Sequence, residues 1–174
     1  MSSNNPVEIP LFEWTRLLDT SSPAYAYGNA LTTGSDGSIY ITGSTNWDVL
    51  FNKYDPEGWK VSTDSFGTSD FDTGSALTTG SDGSIYIAGS TLGDLDGQTN
   101  SGGFDAFITK YNPDGTKDWT KLLGSTKEDY AYDLTTGLDG SIYIAGLTTG
   151  HLDGQTNSGG YDAFISKYNP DGTK

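Results

Sequence analysis

The residues best suited to chemistry lie in two copies of one loop sequence. Asp94–Asn100 reads DLDGQTN, and His151–Asn157 reads HLDGQTN. Calcium loops place oxygen ligands at alternate positions ahead of a glycine that bends the chain. Aligning both loops on that glycine predicts five oxygen ligands for a metal: Asp94, Asp96, Asn100, Asp153 and Asn157.

Both loops depart from the calcium pattern at its first ligand position. Leu92, which has no coordinating atom, stands there in the first copy, and Thr149 stands there in the second. In the second copy His151 also replaces an acid. A cation that needs six to eight oxygens would find too few. We therefore expect polar loops with Asx-type turns and no cofactor, and calcium is the weaker alternative.

Catalytic groups of other kinds are sparse. The only histidine, His151, has Asp94 as its counterpart in the other loop, so neither a histidine-based triad nor a histidine metal site is predicted. A glycosidase needs two carboxylates beside the scissile bond, but most acids here recur in register at turns. The acids outside those turns carry no sign of burial in the sequence: Asp70, Asp72, Glu128, Asp129 and Asp133. The sequence predicts no catalytic residues and a protein that is not an enzyme.

A second set of residues is suited to binding sugars. Trp47, Phe104 and Tyr161 each stand just before a predicted strand. Aromatic rings at the loop-lined ends of repeat proteins can stack on a ligand, and Gln98 and Gln155 would donate hydrogen bonds to it. Packing of the rings beneath the loops explains them equally well. Carbohydrate binding is therefore the alternative to a scaffold that binds a ligand of undefined chemistry.

These loops belong to three tandem repeats. DGSIYI begins at Asp36, Asp82 and Asp139. KYDPEG or KYNPDG begins at Lys53, Lys110 and Lys167. Each unit reads as four short runs of the types WTKLL, YDLTTG, SIYIAG and DAFISKY, which are typical of strands. We predict one domain, 1–174, of three four-stranded antiparallel repeats at about 11–58, 59–115 and 116–174.

Turn chemistry explains most of the repeated aspartates. Asp-Gly supplies the positive φ that tight hairpins need, and Asn-Pro-Asp-Gly is typical of a turn with proline at its second position. Asp48, Asp105 and Asp162 open the DAF-type strands, and we expect them to accept hydrogen bonds from the amides of a neighbouring turn. These residues indicate architecture rather than activity.

The predicted strands are apolar on both faces, which favours sheets stacked against other sheets. The succession DAF-I-x-K-Y-NPDG, W-T-x-L-L-G and DGSIYIAG resembles the bacterial SBBP-type (seven-bladed) β-propeller repeat from Trp14 to Lys174. The resemblance implies an all-β propeller, found in large bacterial proteins often at the cell surface. It implies little about the ligand.

Three units are fewer than the four to eight blades of a closed propeller. An open arc would leave two apolar faces, each on the order of 500 Å², exposed at a cost of roughly 12 kcal/mol per face. Total stability is only about 5–15 kcal/mol. We therefore expect the arc to be completed by a second copy, giving a homodimer with six blades, or by further repeats of a longer chain.

Charge and composition limit the partners. The formal net charge of −14 disfavours nucleic acid and anionic membranes, because both are bound through clustered lysine and arginine. The first residues lack the pattern of a signal peptide, and no apolar run is long enough to insert into a membrane. The absence of cysteine leaves the compartment undefined. We expect a soluble protein, cytoplasmic as written, or at the cell surface if it is a fragment of a larger protein.

Overall fold

The computed structural model describes residues 13–17 and 25–174, and within them the secondary structure consists of strands and turns without a helix. No helix among these residues is long and apolar enough to cross a bilayer. The strands are β1 Ala26–Thr33, β2 Ile39–Thr45, β3 Asp48–Tyr54, β4 Lys60–Phe66, β5 Asp72–Thr79, β6 Ile85–Thr91, β7 Asp105–Tyr111, β8 Lys117–Leu123, β9 Asp129–Thr136, β10 Ile142–Thr148 and β11 Asp162–Tyr168.

The described strands form three antiparallel sheets in chain order. Sheet 1 contains β1–β4, sheet 2 contains β5–β8, and sheet 3 contains β9–β11. The predicted all-β class and the predicted tandem antiparallel repeats are confirmed. Four strands are present in each of sheets 1 and 2, whereas sheet 3 has three among the described residues.

The sheets are offset by one strand from the repeats read in the sequence. The sequence unit begins with its WTKLL run, but in sheet 2 that run is the last strand, β8, which pairs with β7 so that Trp119 lies opposite Lys110. The reason is local, since a tight turn joins β7 to β8 and holds them side by side. Trp14–Leu17, the matching run at the start of the chain, lies outside the sheets, and Leu18 lies outside the described residues.

The Asp-Gly turns have the predicted geometry. In the first, Gly37 has a φ of 80°, and Asp36 accepts hydrogen bonds from the amide of Ser38 at 3.0 Å and from its hydroxyl at 2.9 Å. The turn at Asp82 repeats both hydrogen bonds at the same distances. These aspartates therefore have the structural role that the sequence predicts.

Sheet 2 is packed between the other two, and this arrangement creates two apolar interfaces. Leu77 and Phe107 of sheet 2 pack against sheet 1, at the first interface. Tyr86 and Ile108 of the same sheet pack against sheet 3, at the second interface. The first strands of the sheets lie next to one another, and Asn29 on β1 donates a hydrogen bond to a β5 carbonyl at 2.8 Å. Each sheet thus stands as a blade with its first strand innermost.

Candidate functional site

The two ends of the blades differ in their loops. The lower end holds the Asp-Gly turns and the turns between the third and fourth strands. The upper end holds the connections between the second and third strands and the links between sheets. In sheet 1 the upper connection is a two-residue hairpin turn in which Asn46 and Trp47 have φ values of 48° and 79°. In sheets 2 and 3 it is a long loop, 92–104 and 149–161.

A row of aromatic rings crosses the upper end from sheet 1 to sheet 3. Trp47 meets Phe71 edge-on with ring centroids 5.9 Å apart, and Phe71 meets Phe104 at 6.1 Å. Phe104 in turn lies 5.0 Å from Tyr130, which lies 6.4 Å from Tyr132 in a stacked arrangement. These five residues are called the aromatic row below. Contacts of this kind hold the loops of all three blades together.

Backbone and carboxylate contacts fix the rings in place. Trp47 and Phe104 use their carbonyl oxygens to accept hydrogen bonds from the amides that open β5 and β9, each at 2.6 Å. Glu128 accepts hydrogen bonds from the amide of Phe104 and from the hydroxyl of Tyr130, both at 3.1 Å. Burial of Tyr130, and to a smaller extent its hydrogen bond to the Glu128 carboxylate, raises the pKa of Tyr130 to about 12. The row is therefore a rigid surface.

Only part of the row is open to solvent. Trp47 is 69% exposed and Tyr132 is 56% exposed, whereas Phe71, Phe104 and Tyr130 are half-buried. Tyr161, the third aromatic residue predicted from the sequence, is 77% exposed at the same end. A ligand could therefore stack only on the two exposed end residues of the row, Trp47 and Tyr132.

Sequence reasoning found Trp47 and Phe104 but missed Phe71 and Tyr130, which connect them to the rest of the row. Glu128, which holds Phe104 and Tyr130 in place, was considered only as an acid outside the repeated turns. A usable signal was present, because Phe71 and Glu128 each directly precede an aspartate that opens the first strand of a blade. The first strands of the blades begin at the upper end, so the residue directly before each of them lies there too.

Gln98 and Gln155 occupy turns that fold along the blades instead of joining the row. The amide of Gln98 donates to the Leu95 carbonyl at 2.9 Å in a tight turn, and Leu95 is buried. Within that turn, Asp96 accepts hydrogen bonds from Lys117 at 3.0 Å and from Thr120 at 2.6 Å. Since Lys117 begins β8 at the lower end, the loop tip extends along the outer strand of sheet 2.

The side chains considered as calcium ligands are engaged in hydrogen bonds or ion pairs, some within their own loops and some with residues outside them. Asp94 accepts from the Asn100 amide at 2.8 Å, and His151 accepts from the Asn157 amide at 3.0 Å in the other loop. His151 therefore replaces Asp94 as a hydrogen-bond acceptor. Asp153 forms an ion pair with Lys174, as Asp96 does with Lys117. Within 13–17 and 25–174, no three His, Cys, Asp or Glu side chains come together as a metal site.

Three aspartates at the upper end are fully buried, which the sequence did not reveal for Asp72 and Asp129. Asp72 accepts a hydrogen bond from the amide of Thr68 at 2.6 Å, and Asp129 accepts one from the amide of Ser125 at the same distance. Asp105 accepts from the Ser101 amide at 2.9 Å, as predicted.

Within the described part of the chain, the second carboxylate oxygen of each of these three aspartates has no hydrogen-bond partner. Burial and the charge of Asp129 raise the pKa of Asp105. Asp72 and Asp129 order the links between blades, whereas Asp105 orders the upper loop of its own blade.

Three sheets stacked face to face, each with its first strand innermost, define an arc of β-propeller blades. Residues 118–153 match the SBBP β-propeller repeat, and residues 80–120 and 138–174 match the Domain of unknown function (DUF5122) β-propeller. These matches confirm the resemblance to the SBBP β-propeller repeat family. The described residues contain three sheets, so the seven blades implied by the resemblance are not seen within them.

Two further proteins are similar to parts of this chain. A regulatory protein, FlaEY, of Caulobacter vibrioides is 37% identical over 71 residues, which are 39% of this chain and 7% of that protein. The crystal structure of a protein of unknown function from Bacteroides caccae has a TM-score of 0.51 at 10% identity. That match covers 85% of this chain and 44% of the other. This chain thus spans less than half the length of either protein.

Proposed function

We propose that this chain is a non-catalytic β-propeller scaffold that joins head to tail with a second copy of itself into a six-bladed ring. The observation that carries the proposal is a pair of open blade faces. Leu31 in sheet 1 is 67% exposed, whereas Leu77 at the same place in sheet 2 is 7% exposed. Ile165 in sheet 3 is 73% exposed, whereas its counterpart Ile108 is 1% exposed.

The two open faces are complementary because of the repeat. In sheet 2, Leu77 faces the preceding sheet and Ile108 faces the following sheet. Leu31 and Ile165 therefore point toward a blade before sheet 1 and a blade after sheet 3. A head-to-tail contact between two copies would bury both faces in the way that sheet 2 is buried, and such contacts form a ring when the rotation closes.

The edge of sheet 3 supports the same arrangement. Among the described residues β11 pairs only with β10, and a groove of about 690 Å³ runs beside it, lined partly by Leu152, Phe164 and Lys174. The matching space in sheet 2 is occupied by β8. We propose that residues 14–17 of the second copy, WTRL, fill this edge, because their sequence matches WTKL in β8.

The position of Trp14 agrees with that assignment. A Cβ placed on Gly58 of the lower turn in sheet 1 would lie 2.6 Å from the Trp14 indole. At the second interface, a Cβ placed on Gly172 of sheet 3 would lie 3.0 Å from the Trp119 indole of the preceding blade. Trp14 thus lies against sheet 1 in the way that the outer strand of a preceding blade would.

Solution mass tests the scaffold proposal. The expected result for this chain is twice its monomer mass of 18.5 kDa at micromolar concentration. Leu31→Asp or Ile165→Asp should each give a monomer, because either places a charge on an apolar contact face. The matched control is Leu138→Asp, which alters a fully exposed leucine in a lower turn and should leave the dimer intact. A folded wild-type monomer at that concentration would refute pairing and favour closure by further repeats of a longer chain.

The aromatic row favours a second candidate function, carbohydrate binding. Trp47 and Tyr132 offer exposed rings on a rigid base, and exposed aromatic rings are suited to stacking on sugars. A glycan array probed with wild type, Trp47→Ala and Gln98→Ala tests this function. Trp59→Ala is the control, since Trp59 is 66% exposed at the lower end. Loss of glycan binding with Trp47→Ala but not with Trp59→Ala supports a lectin-like site at the aromatic row. If the wild-type protein binds no glycan on the array, the scaffold proposal is favoured.

A further inference from the structure

The two interfaces between sheets differ at one repeated position near the lower end. In sheet 2, Trp119 lies opposite Lys110 on the neighbouring strand, and its indole packs 6.1 Å from the ring of Tyr86 and against Gly172 of sheet 3. In sheet 1, the residue opposite Lys53 is Ser62. A hydroxymethyl group thus stands where the second interface has an indole.

The missing indole leaves open space between sheets 1 and 2. A Cβ placed on Gly115, the counterpart of Gly172, would meet no atom of the described residues within 4 Å. A pocket of about 400 Å³ opens at this point. Its lining includes Tyr40, Phe51, Ser62, Asp64, Tyr111 and Gly115. Its size falls within the range of small-molecule sites.

The pocket has flat aromatic walls, and the Asp64 carboxylate lies among its lining residues. Tyr40 and Phe51 stack with centroids 5.8 Å apart and an interplanar angle of 12°, and Phe51 lies 4.7 Å from Tyr111. Asp64 accepts a hydrogen bond from the Tyr111 hydroxyl at 2.7 Å. The residue at the place of Asp64 in sheet 2 is Lys121, which cannot accept a hydrogen bond.

We infer that this pocket binds a planar bicyclic aromatic molecule carrying an N–H donor, of which indole is the simplest example. The ligand takes the place that the Trp119 indole has at the second interface, between the aromatic walls and the 112–115 turn. Its N–H group donates to the Asp64 carboxylate, which is the polar group that distinguishes this pocket from the filled one. The site lies within one copy of the chain, so it does not depend on the proposed ring.

Binding of indole itself tests the inference. Calorimetry and two-dimensional NMR should show saturable binding of one indole per chain, with shifts at Ser62 and Tyr111 and a rise in Tm. Ser62→Trp should weaken binding at least tenfold and raise the Tm without ligand, because the added side chain fills the pocket. Ser65→Trp is the control, since residue 65 lies on the other face of β4 and should leave binding unchanged.

Three further measurements distinguish the inference from nonspecific binding. Asp64→Asn should weaken indole binding less than Ser62→Trp does, because the amide oxygen still accepts a hydrogen bond. Trp119→Ser should open a second site that binds indole more weakly than the first, because Lys121 stands there in place of Asp64. If that variant does not fold, the comparison of wild type with Ser62→Trp still tests the inference. myo-Inositol, a non-planar polyol, should not bind. The inference is overturned by a lack of saturable indole binding, or by binding that Ser62→Trp leaves intact.

Discussion

Sheets 2 and 3 have nearly identical third strands, yet the side chains of those strands lie in different surroundings. The third strand reads DAFITKY in sheet 2 and DAFISKY in sheet 3. Ile108 is 1% exposed in the first, and Ile165 is 73% exposed in the second. Both strands pair with the second strand of their sheet in the same register, although β7 also pairs with β8 on its other side. The comparison shows that the local sequence is enough to form the strands of a blade, whereas burial of their side chains requires an adjacent blade.

The largest effect is expected where the same substitution is made in both sheets. Ile108→Ala should lower the free energy of unfolding by about 2–5 kcal/mol, because it leaves a cavity in a packed interface. Ile165→Ala should change it by less than about 0.5 kcal/mol when the copies are apart, because its side chain is in solvent. Urea unfolding at nanomolar protein concentration measures both. Equal losses would mean that the face of sheet 3 is covered within one copy.

A smaller effect is expected from the buried carboxylates. The pKa of Asp105 is raised, so the folded state binds its proton more tightly than the unfolded state does. The contribution of Asp105 to stability therefore falls as the pH rises from about 4 through the raised pKa. Asp105→Asn keeps an acceptor for the Ser101 amide and removes the repulsion from Asp129. We expect a Tm about 2–4 °C higher at pH 7 and little difference at pH 3.

Scanning calorimetry at several pH values measures this effect, and Asp162→Asn serves as the control. Asp162 holds the same place in sheet 3, where it accepts from the Ser158 amide at 2.7 Å but is only half-buried. Its replacement should raise the Tm less. A lower Tm for Asp105→Asn at pH 7 would show that the negative charge stabilises the turn.

The smallest effect at neutral pH is expected from Tyr86. Burial, together with the charges of Asp82 and Asp118, raises the pKa of Tyr86 to about 12. A folded-state pKa above the unfolded value of about 10 gives stability that is present below pH 10 and lost between pH 10 and 12. Tyr86→Phe should leave the Tm at pH 7 nearly unchanged and reduce the loss of Tm across the alkaline range. Identical alkaline profiles for the two proteins would contradict the raised pKa.

The parts of the fold that could be read from the sequence are those set by neighbouring residues. Asp36-Gly37 and its repeats specify turns because only a few residue types tolerate positive φ there. The strand order within each sheet follows from those turns. The boundary between blades could not be placed from the sequence, because the WTKLL run could be either the first strand of one blade or the last strand of the blade before it. Because β8 pairs with β7, this run is the last strand of sheet 2.

The aromatic residues show the same division at the upper end. Trp47 and Phe104 were visible as repeated rings before strands, but their link through Phe71 was not. Phe71 is distant from both in the chain and meets them only because β5 of sheet 2 begins beside the upper loop of sheet 1. Burial of Asp72 and Asp129 has the same origin, since both open strands at a joint between sheets.

The sequence by itself determined the strands, the turns, the three-fold repetition and the β-propeller class, because hydrogen bonding and positive-φ turns act over a few residues. Only the tertiary structure decided which faces are covered, which rings touch and where Ser62 leaves a pocket. Those properties depend on contacts between sheets that are far apart in the chain. Two isoleucines at matching positions, Ile108 and Ile165, therefore differ in burial and in their expected contribution to stability.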